Sequence, residues 1–199
     1  MMRKLCILAL VLMGFYQAPV LAQDINVCMQ DLSIFAESAK VKNYKAAFEP
    51  WMRVRKDCPS INVAIYSYGE RILKDYIKNG TPEEQEASKK DLIKLYDEWV
   101  ENFPKKRNKS VVGDIISKKA QALLDYKLAD LKVIYNTFDQ AYKQDAASFT
   151  NPKLLYNYSK HYTIVTKQLI MRLLWNCCST NTKKFLKNLS LKVQNSLKN

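Results

Sequence analysis

The sequence predicts an all-α protein built from antiparallel helical hairpins. No segment alternates apolar and polar residues over the length of a strand, whereas apolar residues recur at helical spacing along the chain. Two patterns also return. The spacing of Ala47, Trp51, Val54 and Pro59 is repeated 45 residues later by Leu92, Tyr96, Trp99 and Pro104. The pattern of residues 65–69 returns 90 residues later in residues 155–159. Such repetition predicts one structural unit used several times.

Residues 1–22 have the pattern of a secretory signal. Arg3 and Lys4 supply the charged start, residues 5–16 the apolar run, and residues 20–22 a small-residue cleavage motif. The alternative is a membrane span, but the apolar run is shorter than the ~20 residues that cross a bilayer. We therefore predict cleavage near Ala22 and a secreted or periplasmic mature chain without a membrane span.

The positive charge is concentrated at the carboxyl-terminal end of the chain. Of the 32 basic residues, two lie in the signal, 21 accompany 19 acidic residues in residues 23–145, and nine lie in residues 146–199, which hold no acid. The balanced body argues against a nucleic-acid-binding protein, in which basic residues would cover the domain. The alternative hypothesis is electrostatic binding of an anionic polymer or membrane surface through residues 105–109 and the tail.

Two hairpins are predicted in the first half of the mature chain. In the first, residues 42 and 43 form the turn between two helices, and Pro50 should cost a hydrogen bond and kink the second helix. The second hairpin begins at Ser60. Its first helix, residues 61–78, carries Ile65, Tyr68, Gly69 and Ile72 at helical spacing. We expect that Gly69 is small because the two helices of a hairpin approach closely there.

Short sequence motifs predict where the later helices begin. The threonine, proline and glutamate within residues 81–84 predict a helix start with a capping box. Residues 105–109 are interpreted as a solvated basic loop. A weaker third hairpin follows in residues 116–141, and residues 150–152 predict another capped helix start.

The order and spacing of these residues resemble the tetratricopeptide repeat (TPR). The first-helix residues Ile65, Tyr68, Gly69 and Ile72 match its first helix, and the recurring pattern that ends at Pro59 matches its second. The distance from Phe35 to Tyr68 is 33 residues, close to the nominal period of about 34. The resemblance covers most of residues 28–165. It implies a right-handed superhelix of helical hairpins, a TPR-like α-solenoid, in residues 23–172.

In TPR proteins the first helices of successive repeats line a concave groove that binds a peptide or protein. In that family the groove positions come one residue after the first apolar site and one residue after the small site. Applied to this chain, the resemblance implies these groove residues: Ser33, Glu37, Tyr66, Glu70, Ser117, Gln121, Tyr156 and Lys160. Tyr66 and Tyr156 could anchor an extended peptide through aromatic burial and a hydroxyl. The alternative is that both tyrosines cover neighbouring helices.

Four cysteines remain in the mature chain. Cys28 would open the first helix and Cys58 would close the second, and antiparallel packing brings those two ends together. A disulfide between them is geometrically reasonable in an oxidising compartment, and two buried thiols are the alternative. Cys177 and Cys178 are adjacent and lack the spacing of a zinc site or a redox pair.

The character of the sequence changes in residues 173–199. This basic tail could form a helix that caps the open end of the solenoid. A second hypothesis is an out-of-frame ending, because the codons of residues 175–187 read one base earlier permit an acidic amphipathic helix more like the rest of the chain. The nucleotide sequence of the gene tests that hypothesis.

Residues for catalysis are scarce. The chain has four glycines and one histidine, His161, so a phosphate-cradling loop and an HExxH metal site are excluded. We expect His161 to serve in packing or at the surface. The sequence therefore predicts a non-enzymatic, cofactor-free scaffold of the cell envelope that binds a protein or peptide by shape and aromatic contact, with little dependence on salt.

Overall fold

A computed structural model describes residues 18–196, with side chains for residues 25–173 and 175. This part of the chain forms seven helices and one short β-hairpin: α1 (Ala18–Lys40), α2 (Tyr44–Asp57), α3 (Ala64–Asn79), α4 (Pro82–Asn102), β1 (Lys105–Lys106), β2 (Lys109–Ser110), α5 (Val112–Asp125), α6 (Leu131–Asp145) and α7 (Pro152–Ser196). The prediction of an all-α protein is confirmed. Most of the predicted signal lies outside the described residues, and α1 includes the predicted cleavage site.

The helices pack in the order of the chain. Each helix contacts the next, and in addition α1 contacts α3 and α5 contacts α7. Side chains of α1 to α5 form the larger core, and α5 to α7 form a second core around Phe138. Ile93 and Val100 of α4 pack against both cores. The hairpins are therefore stacked on one another through shared apolar contacts.

The recurring apolar patterns form the core, as predicted. The second-helix residues are at most 9 % exposed in all three hairpins: Ala47, Trp51, Val54, Leu92, Tyr96, Trp99, Ile134, Phe138 and Ala141. Gly69 is buried where α2 and α3 meet, and a Cβ atom added to it would lie 2.7 Å from the Trp51 ring. A close approach at Gly69 is therefore present, but it joins two successive hairpins and not, as expected from the sequence, the two helices of one hairpin.

Most helix starts have a side-chain cap of their own. Thr81 accepts a hydrogen bond from the amide of Glu84, and the Glu84 side chain accepts one from the amide of Thr81, which is the predicted capping box. Asn43, Asp130 and Asn151 cap α2, α6 and α7 with their side-chain oxygens. These caps fix where the helices begin because they satisfy amides that lack an intrahelical partner.

Helix α5 is capped from a distant part of the chain instead. The amide of Gly113 donates to Asp145 Oδ2 at 3.4 Å, and the amide of Asp114 donates to Ser148 Oγ at 3.1 Å. Ser148 also donates to the Asp145 carboxylate. Hydrogen bonds from Ser110 and then Ser148 lower the pKa of Asp145. The end of α6 therefore holds the start of α5.

We expect Asp145→Asn to lower the free energy of unfolding by about 1 kcal/mol at pH 7, because it removes a negative charge from a helix N-terminus. A lowered folded-state pKa means that the carboxylate stabilises the fold above about pH 3.9, its unfolded pKa, and that this contribution disappears as pH falls through the folded pKa. Urea unfolding at pH 7 and pH 2.5 measures the difference. Glu101→Gln, at an exposed position, is the control. An equal loss for Asp145→Asn at both pH values would contradict the argument.

Two features go beyond the predicted arrangement, and the first of the two alternatives for Cys28 and Cys58 is present. Residues 105–110, interpreted as a loop, form a hairpin in which Lys105 pairs with Ser110 and Lys106 with Lys109. Helix α7 runs through the predicted boundary at residue 173 without a break. A disulfide joins Cys28 to Cys58, with Cα atoms 6.3 Å apart. The side chains of Cys177 and Cys178 lie outside the described residues.

Candidate functional site

Two rows of side chains on α3 and α5 border the same open cavities. Each row has residues at positions i, i+4, i+7 and i+11, the spacing of one face of a helix. We call this surface the trough, and its residues are Val63, Ser67, Glu70 and Lys74 on α3 and Asp114, Lys118, Gln121 and Asp125 on α5. The trough lies between the first helices of two successive hairpins.

The trough contains two adjoining cavities. The first has a volume of 410 Å³ and is also lined by Trp99 and Phe103 from the end of α4. The second has a volume of 280 Å³ and is also lined by Tyr96 and Tyr126. Glu70 and Lys118 belong to both cavities. An extended segment of another chain could therefore lie across both of them.

The two shared residues are held by neighbouring side chains. Glu70 Oε1 accepts a hydrogen bond from the Tyr96 hydroxyl at 3.0 Å and pairs with Lys74. Burial, with the Glu70 charge next, raises the pKa of Tyr96, so the phenol stays protonated as a donor. Lys118 Nζ lies 3.0 Å from Asp114 Oδ2 and 5.5 Å from the centroid of the Trp99 ring. The centre of the trough is thus ordered before any ligand binds.

Helix α7 closes one end of the trough. Asn157 Nδ2 donates to Gln121 Oε1 at 2.6 Å, and Gln121 Nε2 donates to Asp125 Oδ1 at 2.6 Å. Lys153 and Leu154, at the start of α7, line the second cavity. The side-chain amide of Gln121 therefore ties the α5 row to the next hairpin.

The β-hairpin stands at the other end of the trough. Its turn places Arg107 at φ 49° and Asn108 at φ 63°, as a two-residue type I′ turn requires. Lys105 and Lys106 line the first cavity. Sequence analysis missed this hairpin, because two-residue strands carry no alternation and the tolerance of Asn108 for positive φ was the sole local signal.

Of the eight residues implied to line a groove, two lie in the trough, Glu70 and Gln121. Four are exposed outside the lining of the two cavities: Ser33, Glu37, Tyr156 and Lys160. Tyr66 and Ser117 are fully buried, which corrects their assignment to a binding surface.

The burial of Tyr66 and Ser117 has a geometric cause. Both side chains are buried between helices. The residue that follows each of them in sequence, Ser67 or Lys118, lines the first cavity of the trough. The Tyr66 ring stacks on Trp99 with centroids 6.1 Å apart, and its hydroxyl donates to the carbonyl of Pro59 at 3.0 Å. Burial raises the pKa of Tyr66 to about 12. Tyr66 therefore serves packing.

On the other side of the hairpin stack, Arg55 forms an ionic cluster that sequence analysis also missed. Its guanidinium donates to Asp91 at 2.7 and 2.9 Å and to Glu98 at 2.7 Å, and it lies 5.1 Å from the centroid of the Trp51 ring. The cluster borders an open cavity of 570 Å³ between α2 and α4. Because Arg55 already pairs with both carboxylates, the cluster joins these helices instead of offering free acids for catalysis or metal binding.

Metal-ligand clusters and the histidine are the two features of the described side chains that bear on chemistry other than binding. Within residues 25–173, no group of three or more His, Cys, Asp or Glu side chains is placed to hold a metal ion. His161 is buried, with Nδ1 2.7 Å from the Asn157 carbonyl oxygen and its ring beside Phe138. This histidine therefore packs in the second core, away from the trough.

No protein-family model, curated protein or solved structure matches this chain. Among the helices of residues 18–196, none combines the length and apolar character that a bilayer crossing requires.

Proposed function

We propose that this chain is a non-enzymatic interaction scaffold that binds an extended segment of a protein or peptide partner in the trough. The observation that carries the proposal is the pair of adjoining cavities between α3 and α5, whose central residues Glu70 and Lys118 are already held in position. Pre-ordered side chains reduce the entropic cost of binding. The two cavities are open and share Glu70 and Lys118, which suits a segment that crosses both better than a small enclosed substrate.

The proposed architecture is a TPR-like right-handed superhelix. Two features support it: the core positions at i, i+4 and i+7 recur in three successive hairpins, and α1 contacts α3 as α5 contacts α7. In such a stack the first helices share one surface, which is where the trough lies.

The proposed location is the cell envelope or the exterior, after cleavage near Ala22. The disulfide between Cys28 and Cys58 supports an oxidising compartment, because structural disulfides persist there and are rare in the cytosol.

We expect Ser67→Tyr to abolish partner binding, because Ser67 is half-buried in the first cavity and a tyrosine ring there would fill the path between the two rows. Ala87→Tyr, which adds the same ring at an exposed position of α4 outside the trough, should bind normally. The measurement is capture of partners from the envelope fraction by the three proteins, with circular dichroism to verify that the variants fold. Equal capture by Ser67→Tyr and the unchanged chain would overturn the proposal.

The alternative function is electrostatic binding of an anionic polymer or membrane surface. It is favoured by the β-hairpin, where residues 105–110 are all exposed and four of the six are basic. This function requires binding that falls steeply with salt and is lost on deletion of residues 173–199. Capture that survives this deletion and is abolished by Ser67→Tyr would favour the trough instead.

A further inference from the structure

We propose that the trough selects extended segments that carry acidic side chains next to an apolar one. This inference rests on the proposed function and adds the chemical class of the partner. The residues that line the two cavities include six basic side chains, Arg71, Lys74, Lys105, Lys106, Lys118 and Lys153, and three acidic ones, Glu70, Asp114 and Asp125. Their net charge is 6 − 3 = +3. Without Lys153 it is 5 − 3 = +2, which equals the net charge of residues 23–145 as a whole, 21 − 19 = +2.

The acidic side chains of the trough already have partners. Glu70 accepts from Tyr96 and Lys74, Asp114 pairs with Lys118, and Asp125 accepts from Gln121. Each carboxylate is thus partly neutralised or hydrogen-bonded before a ligand arrives.

Four of the six basic side chains have no oppositely charged partner among the described residues. Within residues 25–173, no ion pair is formed by Arg71, Lys105, Lys106 or Lys153. Arg71 instead lies 5.3 Å from the centroid of the Tyr68 ring. The charge that remains available to a ligand is therefore positive at both ends of the trough.

The lining of the first cavity favours a ligand that also carries an apolar side chain. Val63, Trp99, Phe103 and Ile115 line it beside Lys105 and Lys106. An apolar side chain of the ligand would bury these surfaces while flanking carboxylates reach the two lysines. A polymer with a negative charge at every unit fits less well, because the central lysines Lys74 and Lys118 already pair with Glu70 and Asp114. The central charges of the polymer would therefore meet no free cation.

The test uses the mature chain and three nonapeptides blocked at both ends. They share apolar residues and a central tryptophan and carry Glu, Gln or Lys at three alternate positions. A fourth peptide has Gln at those positions and a free terminal carboxylate. Because one exposed ion pair changes affinity about two- to fivefold, we expect the Glu peptide to bind at least about tenfold more tightly than the Gln peptide in fluorescence anisotropy. Ser67→Tyr should lose all of this binding.

Charge reversal tests whether Lys105 and Lys106 cause the preference for the Glu peptide. Lys105→Glu with Lys106→Glu should remove the advantage of the Glu peptide, whereas Lys45→Glu with Lys90→Glu, the same change in charge at exposed positions of α2 and α4, should retain it. Equal affinity for Glu and Gln peptides, or preference for the free carboxylate, would overturn the inference while leaving trough binding in place. Binding of none of the four also overturns it, and the capture experiment with Ser67→Tyr then decides the proposed function separately.

Discussion

Gly69→Leu is expected to lower the free energy of unfolding by about 3–5 kcal/mol, because the added side chain would occupy the space of the Trp51 ring. A Cβ atom at residue 69 would lie 2.7–2.8 Å from three atoms of that ring, and Trp51 is fully buried. Overpacking of this kind costs about 1–3 kcal/mol. Trp51 Nε1 also donates to the carbonyl of Ile65 at 2.7 Å, and a buried donor left unpaired costs about 1–3 kcal/mol more.

Gly69→Ala gives a sharper test of the same contact. In an ordinary helix interior, glycine to alanine increases stability by about 1 kcal/mol. Here we expect the opposite sign, because even the first added carbon contacts a rigid indole. Ser67→Ala, two residues away on the trough side of α3, should change stability by less than about 0.5 kcal/mol. Thermal unfolding measures all three variants, and a rise in Tm for Gly69→Ala would contradict the proposed close approach.

Arg55→Leu is expected to destabilise the fold by about 3 kcal/mol. The Arg55 side chain is 6 % exposed. Its removal would leave Asp91 without this partner and Glu98 with the exposed Lys94 alone, 3.7 Å away. Breaking a buried ion pair from one side typically costs about 3–5 kcal/mol. We expect the lower end of that range because the two acidic side chains are 28 % and 25 % exposed, so water would partly solvate them.

The chain offers a matched control two residues earlier. Arg53 on α2 forms a bidentate pair with Asp31 of α1, and its hydrogen bonds lower the pKa of Asp31. The Arg53 side chain is 52 % exposed, but the Asp31 side chain is 10 % exposed. Arg53→Leu would therefore leave one nearly buried carboxylate unpaired and should cost about 1–2 kcal/mol, less than Arg55→Leu, which affects two carboxylates. Replacing Asp91 and Glu98 by leucine should restore much of the stability of Arg55→Leu. Urea unfolding compares these variants, and similar losses for Arg53→Leu and Arg55→Leu would show that burial does not govern the effect.

Most of the helical core could be predicted from spacing alone. Trp51, Trp99 and Phe138 recur at positions where an amphipathic helix must bury them, and the capping box at Thr81 and Glu84 needs residues of one short segment only. Such patterns act within about 20 residues, so they can be found without knowing which helices meet. The same reasoning predicted Gly69 as a close contact.

The candidate site could be predicted only in part. The resemblance indicated two helices that border the trough and two residues that line it, Glu70 and Gln121. It also placed Tyr66 and Ser117 on a surface, although both are buried. A shift of one residue rotates a side chain by about 100° around the helix axis. Whether a residue or the next one in sequence faces solvent depends on where the neighbouring helix packs.

The sequence by itself determined the helical class, the repeated hairpins and the starts of α2, α4 and α7, because these follow from contacts between residues near one another in the chain. Only the tertiary structure decided which helix face opens into the trough, that Asp145 caps α5, and that Arg55 joins α2 to α4. Each of these depends on side chains 32 to 43 residues apart in sequence. No local pattern encodes such pairs, since they form only when separate hairpins stack.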